Sequence, residues 1–285
     1  MTSAFSATSI GCRGRRVHDH LGLATVVTWN VQRAAVSRAR RQLTWLLAVQ
    51  PAVLVLTEVS GSQAGESTAQ YLRDAGYCTY LPKAGADGYR VLVAARGTID
   101  EVYTLDSPLA ARFAAVQIDM PDRGRLAVIG MYVPSRGSAQ RRNVDKRAYQ
   151  DSVSSAIPGL VERLAIDQPC VAVGDLNVLE PDHHPRYRVF GEWEYDFYRS
   201  FGDNGMCDAF RLRNPGTWEY SWFGREQPDG SRNGYRFDHA FIDRAHASLV
   251  TNCTYVHEAR TLGGSDHSAL SLTILIGEKS EQYRM

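Results

Sequence analysis

Val171-Ala172-Val173-Gly174-Asp175-Leu176-Asn177 is an apolar run that ends at a glycine and then delivers a carboxylate and a carboxamide. In an extended chain alternate side chains share a face, so Asp175 and Asn177 look out together from a strand's carboxyl end. That end is where α/β sheets place ligands. A carboxylate beside an amide, both fixed by a buried strand, can hold one water and orient it. Turns after strands also use Asp for purely local reasons, so the stretch needs support from the rest of the chain.

Upstream, the same pattern recurs. The β-rich run Ala24-Thr25-Val26-Val27-Thr28-Trp29-Asn30 ends in a carboxamide, and Ala52-Val53-Leu54-Val55-Leu56-Thr57-Glu58 ends in a carboxylate. Between them, Ser37 reads as the N-cap of a helix with Leu43, Leu46 and Leu47 on one face, stopped before Pro51. Strand, helix, strand at this spacing is a βαβ-like unit with Asn30 and Glu58 at matching ends. Strands are then expected at residues 77–81, 89–95, 112–118 and 126–133, with short connections that predict antiparallel pairing. The last of them closes on Met131-Tyr132-Val133-Pro134. After a short helix expected from about Glu66 and those strands, a further helix, with Val153, Ile157, Leu160, Val161 and Leu164 on one side and a kink expected at Pro158, feeds the central strand.

Beyond Asn177 the pattern predicts a polar-aromatic loop, a helix over 192–204, and strands at 219–223, 235–242, 248–255 and 268–275. The loop Gly263-Gly264-Ser265-Asp266-His267 precedes the last strand. His183 and His184 are adjacent, so their side chains diverge and a structural loop is expected there. No sequence repeat is present, although the second half repeats the strand–helix–strand logic of the first.

Composition narrows the class. With 285 residues, 44% hydrophobic and 22% charged, the chain suits a soluble globular protein with a sizeable core. A net charge of +1 excludes a binder that works by bulk positive charge. Five scattered cysteines without a Cys-x-x-Cys pair argue for free thiols in a reducing, cytoplasmic setting and against zinc. No apolar run approaches membrane-spanning length. Residues 1–22 are Ser/Thr- and then Arg-rich, without the apolar region of a signal peptide, and read as a disordered tail. Residues 23–276 are expected to form one domain and 277–285 a polar tail, and a monomer is expected.

Collected in order, the strand-end residues are Asn30, Glu58, Tyr132, Asp175, Asn177, Asp238, Asp266 and His267. Carboxylates and amides without cysteine suit a hard cation, Mg²⁺ or Mn²⁺. Such a cation beside a histidine and an oriented water describes phosphoester hydrolysis. Ser135 to Arg147 is the one real charge cluster, with Arg136, Arg141, Arg142, Lys146 and Arg147 against Asp145. It reads either as a solvated loop or as a contact for a DNA backbone.

Trp29-Asn30, Thr57-Glu58, Tyr132-Val133-Pro134, Gly174-Asp175-Leu176-Asn177, Arg236-Phe237-Asp238 and Ser265-Asp266-His267 resemble, in order and spacing, the motifs of the endonuclease/exonuclease/phosphatase superfamily. Lys146-Arg147-Ala148-Tyr149-Gln150, Asp208-Ala209-Phe210-Arg211 with Asn214-Pro215, and Tyr220-Ser221-Trp222-Phe223 are similar to exonuclease III-type apurinic/apyrimidinic endonucleases. The resemblance implies a four-layer α/β/β/α sandwich of two packed mixed β-sheets flanked by helices. It implies Glu58 as primary metal ligand helped by Asn30, Asp266 as a further metal carboxylate, and Asp175 with Asn177 around the attacking water. His267 paired with Asp238 would face the phosphate, and Tyr132 the leaving oxygen. Arg136, Arg141, Arg142, Arg147, Trp222 and Phe223 would meet DNA. Thr57, Ser135-Arg136 and His239 depart from the family's usual residues without removing a catalytic group. A phosphatase or phosphodiesterase acting on a small or lipid phosphoester, and a non-catalytic binder that kept the fold, are the competing readings.

Overall fold

The computed structural model describes residues 7–8, 22–121, 123–136 and 140–277; the side chains of residues 7, 8 and 140–142 lie outside the described set. Most of the two expected tails also lies outside it. In chain order come β1 (Ala7–Thr8), β2 (Gly22–Asn30), α1 (Val36–Ala48), β3 (Val53–Ser60), α2 (Gln63–Asp74), β4 (Cys78–Tyr80), β5 (Tyr89–Ala95) and β6 (Thr98–Tyr103). Next are β7 (Phe113–Met120), β8 (Gly124–Tyr132), α3 (Gln140–Leu164), β9 (Cys170–Asp175), α4 (Glu192–Asp203), β10 (Met206–Asp208) and α5 (Ala209–Arg213). The last are β11 (Trp222–Glu226), β12 (Arg232–Tyr235), β13 (Asp238–Asp243), β14 (Val250–Val256), α6 (Glu258–Thr261) and β15 (Ala269–Ile276).

Two mixed sheets pack face to face, ordered β14-β15-β2-β3-β5-β4 and β1-β6-β7-β8-β9-β13-β10, with β11 and β12 as a separate ribbon. Each sheet holds one parallel pair, β2–β3 and β8–β9, joined by α1 and α3 respectively. Strand alternation sorts side chains into layers. Val26, Val53, Val55, Val128, Val171 and Val173 fill the space between the sheets. Leu54 and Leu56 turn outward to Leu43 and Leu46 of α1 and Leu72 of α2. Ala172 and Ile129 turn outward to Val153, Ile157 and Leu160 of α3 and to Phe201 of α4. The expected four-layer sandwich is therefore the fold.

Register then places chemistry. Tyr132 pairs with Asp175 across β8–β9, and Asp175 pairs with Asp238 across β9–β13, so three polar side chains stand in one row. On the facing sheet Asn30 pairs with Thr57, one residue before Glu58. Gly174 makes the row possible. Its φ is +149°, and a Cβ there would lie 1.9 Å from the Met131 carbonyl oxygen.

The structure corrects several boundaries. α1 begins at Val36 after Ala35, without a side-chain cap, rather than after Ser37. β6 lies outside the expected strands; its register shifts between Ile99 and Glu101, which breaks the two-residue period. The run 235–242 is not one strand. Arg236 turns into a buried ion network with Glu180 and Asp208, so β12 ends at Tyr235 and β13 starts in another sheet. The strand expected at 219–223 starts instead at Trp222.

Gly174→Ala is expected to lower unfolding free energy by roughly 3 kcal/mol, the scale of a forced backbone shift. A Cβ at Gly159, inside α3, meets nothing within 4 Å, so Gly159→Ala should gain about 0.5–1 kcal/mol. Urea titration of both variants tests this, and equal effects would refute the close-approach argument.

Candidate active site

Asn30 organises the centre. Its Oδ1 accepts from the Gln32 backbone N–H at 2.8 Å, which leaves its amide nitrogen to donate to Asp175 Oδ2 at 2.9 Å and Glu58 Oε1 at 3.1 Å. Asn30 thus ties two carboxylates from two sheets together through N–H groups, with its own oxygen already engaged. Tyr132 OH donates to the same Glu58 oxygen at 2.7 Å. Burial, then the Glu58 and Asp175 carboxylates, push the Tyr132 phenol far above its usual range, so it stays a donor.

Glu58 and Asn177 hold left-handed backbone, with φ of 53° and 49°. Non-glycine residues in that region are uncommon and cluster where function over-determines the geometry. Each is pinned. Arg33 N–H donates to Glu58 O at 2.9 Å, and Lys146 Nζ donates to Asn177 O at 2.7 Å. Asn177 in turn gives its backbone N–H to Asp175 Oδ1 at 2.9 Å and its side-chain nitrogen to Val133 O at 3.0 Å.

His267 closes the row. Its Nδ1 lies 2.7 Å from Asp238 Oδ2, and its Nε2 lies 4.0 Å from Asp175 Oδ2. Burial alone would lower the imidazole, but the Asp238 and Asp175 carboxylates outweigh it and raise it to about 10. Burial and the Asp238 charge raise Asp175 in turn. The loop carrying His267 is sewn to β2: Trp29 Nε1 donates to His267 O at 2.9 Å, and Ser265 Oγ donates to Asn30 O at 2.6 Å. Asp238 is held from behind, since Ser221 Oγ accepts the backbone N–H of both Phe237 and Asp238.

Asp175 and Asp238 both face the His267 imidazole, Asp175 shares the Asn30 amide with Glu58, and Asp238 Oδ1 is buried without a partner among the described residues. Asp175, Asp238 and His267 offer atoms within 4.8 Å of one another. Oxygen donors with this excess of negative charge fit a hard divalent cation. Both Asp175 oxygens and Glu58 Oε1 already accept hydrogen bonds, which leaves Glu58 Oε2 and Asp238 Oδ1 as the oxygens of this row without a hydrogen bond among the described residues.

The sequence pattern of the Endonuclease/Exonuclease/phosphatase family matches residues 27–267. The chain belongs to this family. It is a phosphoesterase, and the family is divalent-metal dependent. Solved structures of the same fold include a Neisseria 3′ phosphatase, NExo, bound to product DNA hairpin (TM-score 0.72, 21% identity, 87% of this chain and 98% of that one). An AP endonuclease from Archaeoglobus fulgidus gives 0.72 and 20%, with 88% and 99% covered. The AP endonuclease LMAP from Leishmania major gives 0.69 and 19%, with 89% and 88% covered. No curated relative matches the chain.

The remaining expected site residues separate. Asp266 is exposed, and its Oδ2 accepts the Trp222 indole N–H at 3.0 Å; none of its bonds reaches Asn30, Glu58 or Asp175. Trp222 stands beside His267, with ring centroids 6.4 Å apart, and packs on Tyr235 and Phe237. Phe223, one residue on, faces elsewhere and lies under the Arg260 guanidinium. Arg136 pairs with Glu194, while Arg147 is exposed near Trp193. Arg141 and Arg142 have side chains outside the described set. Lys146 belongs to the charge cluster in sequence, yet it is wholly buried between Glu194 and Asn177. Its sequence signal is weak: a lysine three residues before a buried Tyr149 shares that residue's inward face.

With its value raised to about 10, the His267 charge stabilises the fold fully below the imidazole's ordinary 6.5 and loses that effect as pH climbs through 10. Asp238→Asn should move the His267 midpoint down toward 6.5, followed by NMR titration of the imidazole. An unmoved midpoint would mean Asp238 is not what holds the proton.

Proposed function

We propose that the chain is a Mg²⁺- or Mn²⁺-dependent DNA nuclease of the AP endonuclease/exonuclease III type. The observation that carries the reading is the joining of Glu58, Asn30, Asp175 and the Asp238–His267 pair at the mouths of the two sheets. Glu58 would hold the cation, with Asn30 fixing its carboxylate and Asp266 a further carboxylate at the rim. When bound, the cation would draw charge from the scissile phosphate and lower the pKa of a water. Asp175, made more basic by burial, orients that water or takes its proton, with Asn177 locking the Asp175 rotamer. Charged His267 donates from Nε2 to a non-bridging phosphate oxygen, while Asp238 holds Nδ1. Tyr132 offers its phenol proton beside the leaving oxygen.

The DNA part of the reading rests on the DNA-processing activities of proteins of the same fold and on Trp222 with Tyr235 and Phe237, an aromatic wall beside His267 that suits a flipped sugar or base. A second reading, hydrolysis of a small phosphoester, is favoured by one observation. Arg136 and Lys146, two of the cations counted toward a DNA backbone, are both turned to Glu194.

Glu58→Gln and Asp175→Asn should each keep the fold and lose at least ~10²-fold in kcat, the scale of a positioned acid–base group. EDTA should abolish activity and Mg²⁺ restore it. Full activity after chelation would remove the metal from the reading. His267→Ala should lower turnover with little change in metal affinity.

Substrate class is separated by a second set. Neutralising Arg141, Arg142 and Arg147 together should flatten the salt dependence of DNA binding, since fewer counterions are released. Hydrolysis of bis(p-nitrophenyl) phosphate should be unchanged. Trp222→Ala should slow cleavage of an abasic duplex far more than of that diester. If neither change touches DNA cleavage, the small-phosphoester reading replaces this one.

A further inference from the structure

Behind Tyr132 lies a stack that takes no part in the chemistry above. The Arg112 guanidinium sits 4.5 Å from the ring centroid of Tyr132 and 4.6 Å from that of Tyr89. Arg33 covers Tyr89 at 4.7 Å. The two tyrosines also meet directly, at 5.4 Å and tilted 57°. Arg112 is tethered at both ends. Its Nε donates to Asp87 Oδ2 at 2.6 Å, and its backbone carbonyl accepts Tyr149 OH at 2.8 Å. Its side chain is 8% exposed. Its Nη1 is buried with no partner among the described residues.

Burying a guanidinium edge unpaired is unfavourable, and pairing with Asp87 alone would not require it. A lysine could make that ion pair. What a lysine lacks is a flat cationic face that can lie on two aromatic rings at once. The Tyr132 ring carries only one polar atom, its OH on Glu58. A hydroxyl at the end of a long ring is aimed by what holds the ring's faces.

We propose that Arg112 is a positioning residue for the active centre: lying over both the Tyr89 and Tyr132 rings where they meet, it fixes the Tyr132 ring so that its hydroxyl stays on Glu58. The inference rests on the reading of Tyr132 given above. Arg112 touches no reacting atom in this scheme and acts through Tyr132 alone. It also explains the short tether to Asp87, which stops the guanidinium from sliding off the rings.

A double-mutant cycle tests this, with bis(p-nitrophenyl) phosphate and an abasic duplex as probes in the presence of Mg²⁺. Arg112→Gln should lower kcat about 10-fold with little change in KM, and Arg112→Lys should behave like Arg112→Gln because the flat face is lost in both. In the Tyr132→Phe background the same substitutions should change kcat less than about twofold, since the hydroxyl they aim is gone. A merely structural Arg112 would lower the melting temperature and give equal factors in both backgrounds. Should the Arg112 variants not fold, Asp87→Asn keeps the guanidinium and releases its tether, and its smaller loss of kcat must likewise vanish with Tyr132→Phe. Equal factors in both backgrounds, or an unchanged kcat, overturn the proposal. If Tyr132→Phe alone leaves kcat intact, the catalytic reading of Tyr132 fails first, and the positioning role falls with it.

Discussion

Packing carboxylates into one buried row of strand ends creates a repulsion that the rest of the centre has to answer. Asp175 and Asp238 are directly paired across neighbouring strands, and both are fully buried. Like charges at that spacing in a dry site push a proton onto one of them or draw in a cation. The chain supplies one internal answer, His267, kept charged by the two carboxylates it faces. Asn30 adds a neutral one by giving an N–H to Asp175 and to Glu58 from the same nitrogen. The negative charge that remains on the Glu58 side is what makes the donor set suit a divalent ion.

The surrounding scaffold serves to prevent this crowded row from relaxing. Two buried ion networks flank it. Lys146 holds the Asn177 carbonyl with the help of Glu194, which also caps α4 through the Gly191 N–H. Arg236, with Glu180 and Asp208, fixes the turn that delivers Asp238. Removing one partner from such a network leaves an uncompensated buried charge, which costs about 3–5 kcal/mol. Both networks therefore stiffen the turns at Asn177 and Asp238, and a stiff frame is what electrostatic preorganisation requires.

How much of this was legible follows from local physics. Asn30, Tyr132 and Asp175 end their strands, and Glu58 follows the apolar run of β3 at the bulge before Val59; a polar residue closing an apolar run located each in sequence, and the fold brought them together. The sandwich followed from two strand–helix–strand units and a resemblance in motif order. The bulge in β6 and the break at Arg236-Phe237 were not legible, because each depends on a partner distant in sequence. Lys146 and Arg136 look like surface charge in sequence for the same reason, since Glu194 lies 48 and 58 residues away from them. Phe223 parts from Trp222 because adjacent residues on a strand face opposite ways. Arg112 carried no signal at all; only the meeting of β5 and β8 with the turn before β7 reveals its two rings.

In the proposed function, Trp222 would join recognition to chemistry. Its indole N–H is bound to Asp266, its ring packs on Tyr235 and Phe237, and its backbone bridges that of His267. A substrate that leans on this wall presses on the segment that carries the imidazole. In the proposed function, contacts made only when the phosphate is seated would then be felt at Nε2, the atom proposed to face the phosphate. Binding of this kind raises turnover rather than mere affinity. The wall and the row of carboxylates are joined through one piece, the Ser265–His267 loop, which Trp222 touches on one side and Asp238 on the other.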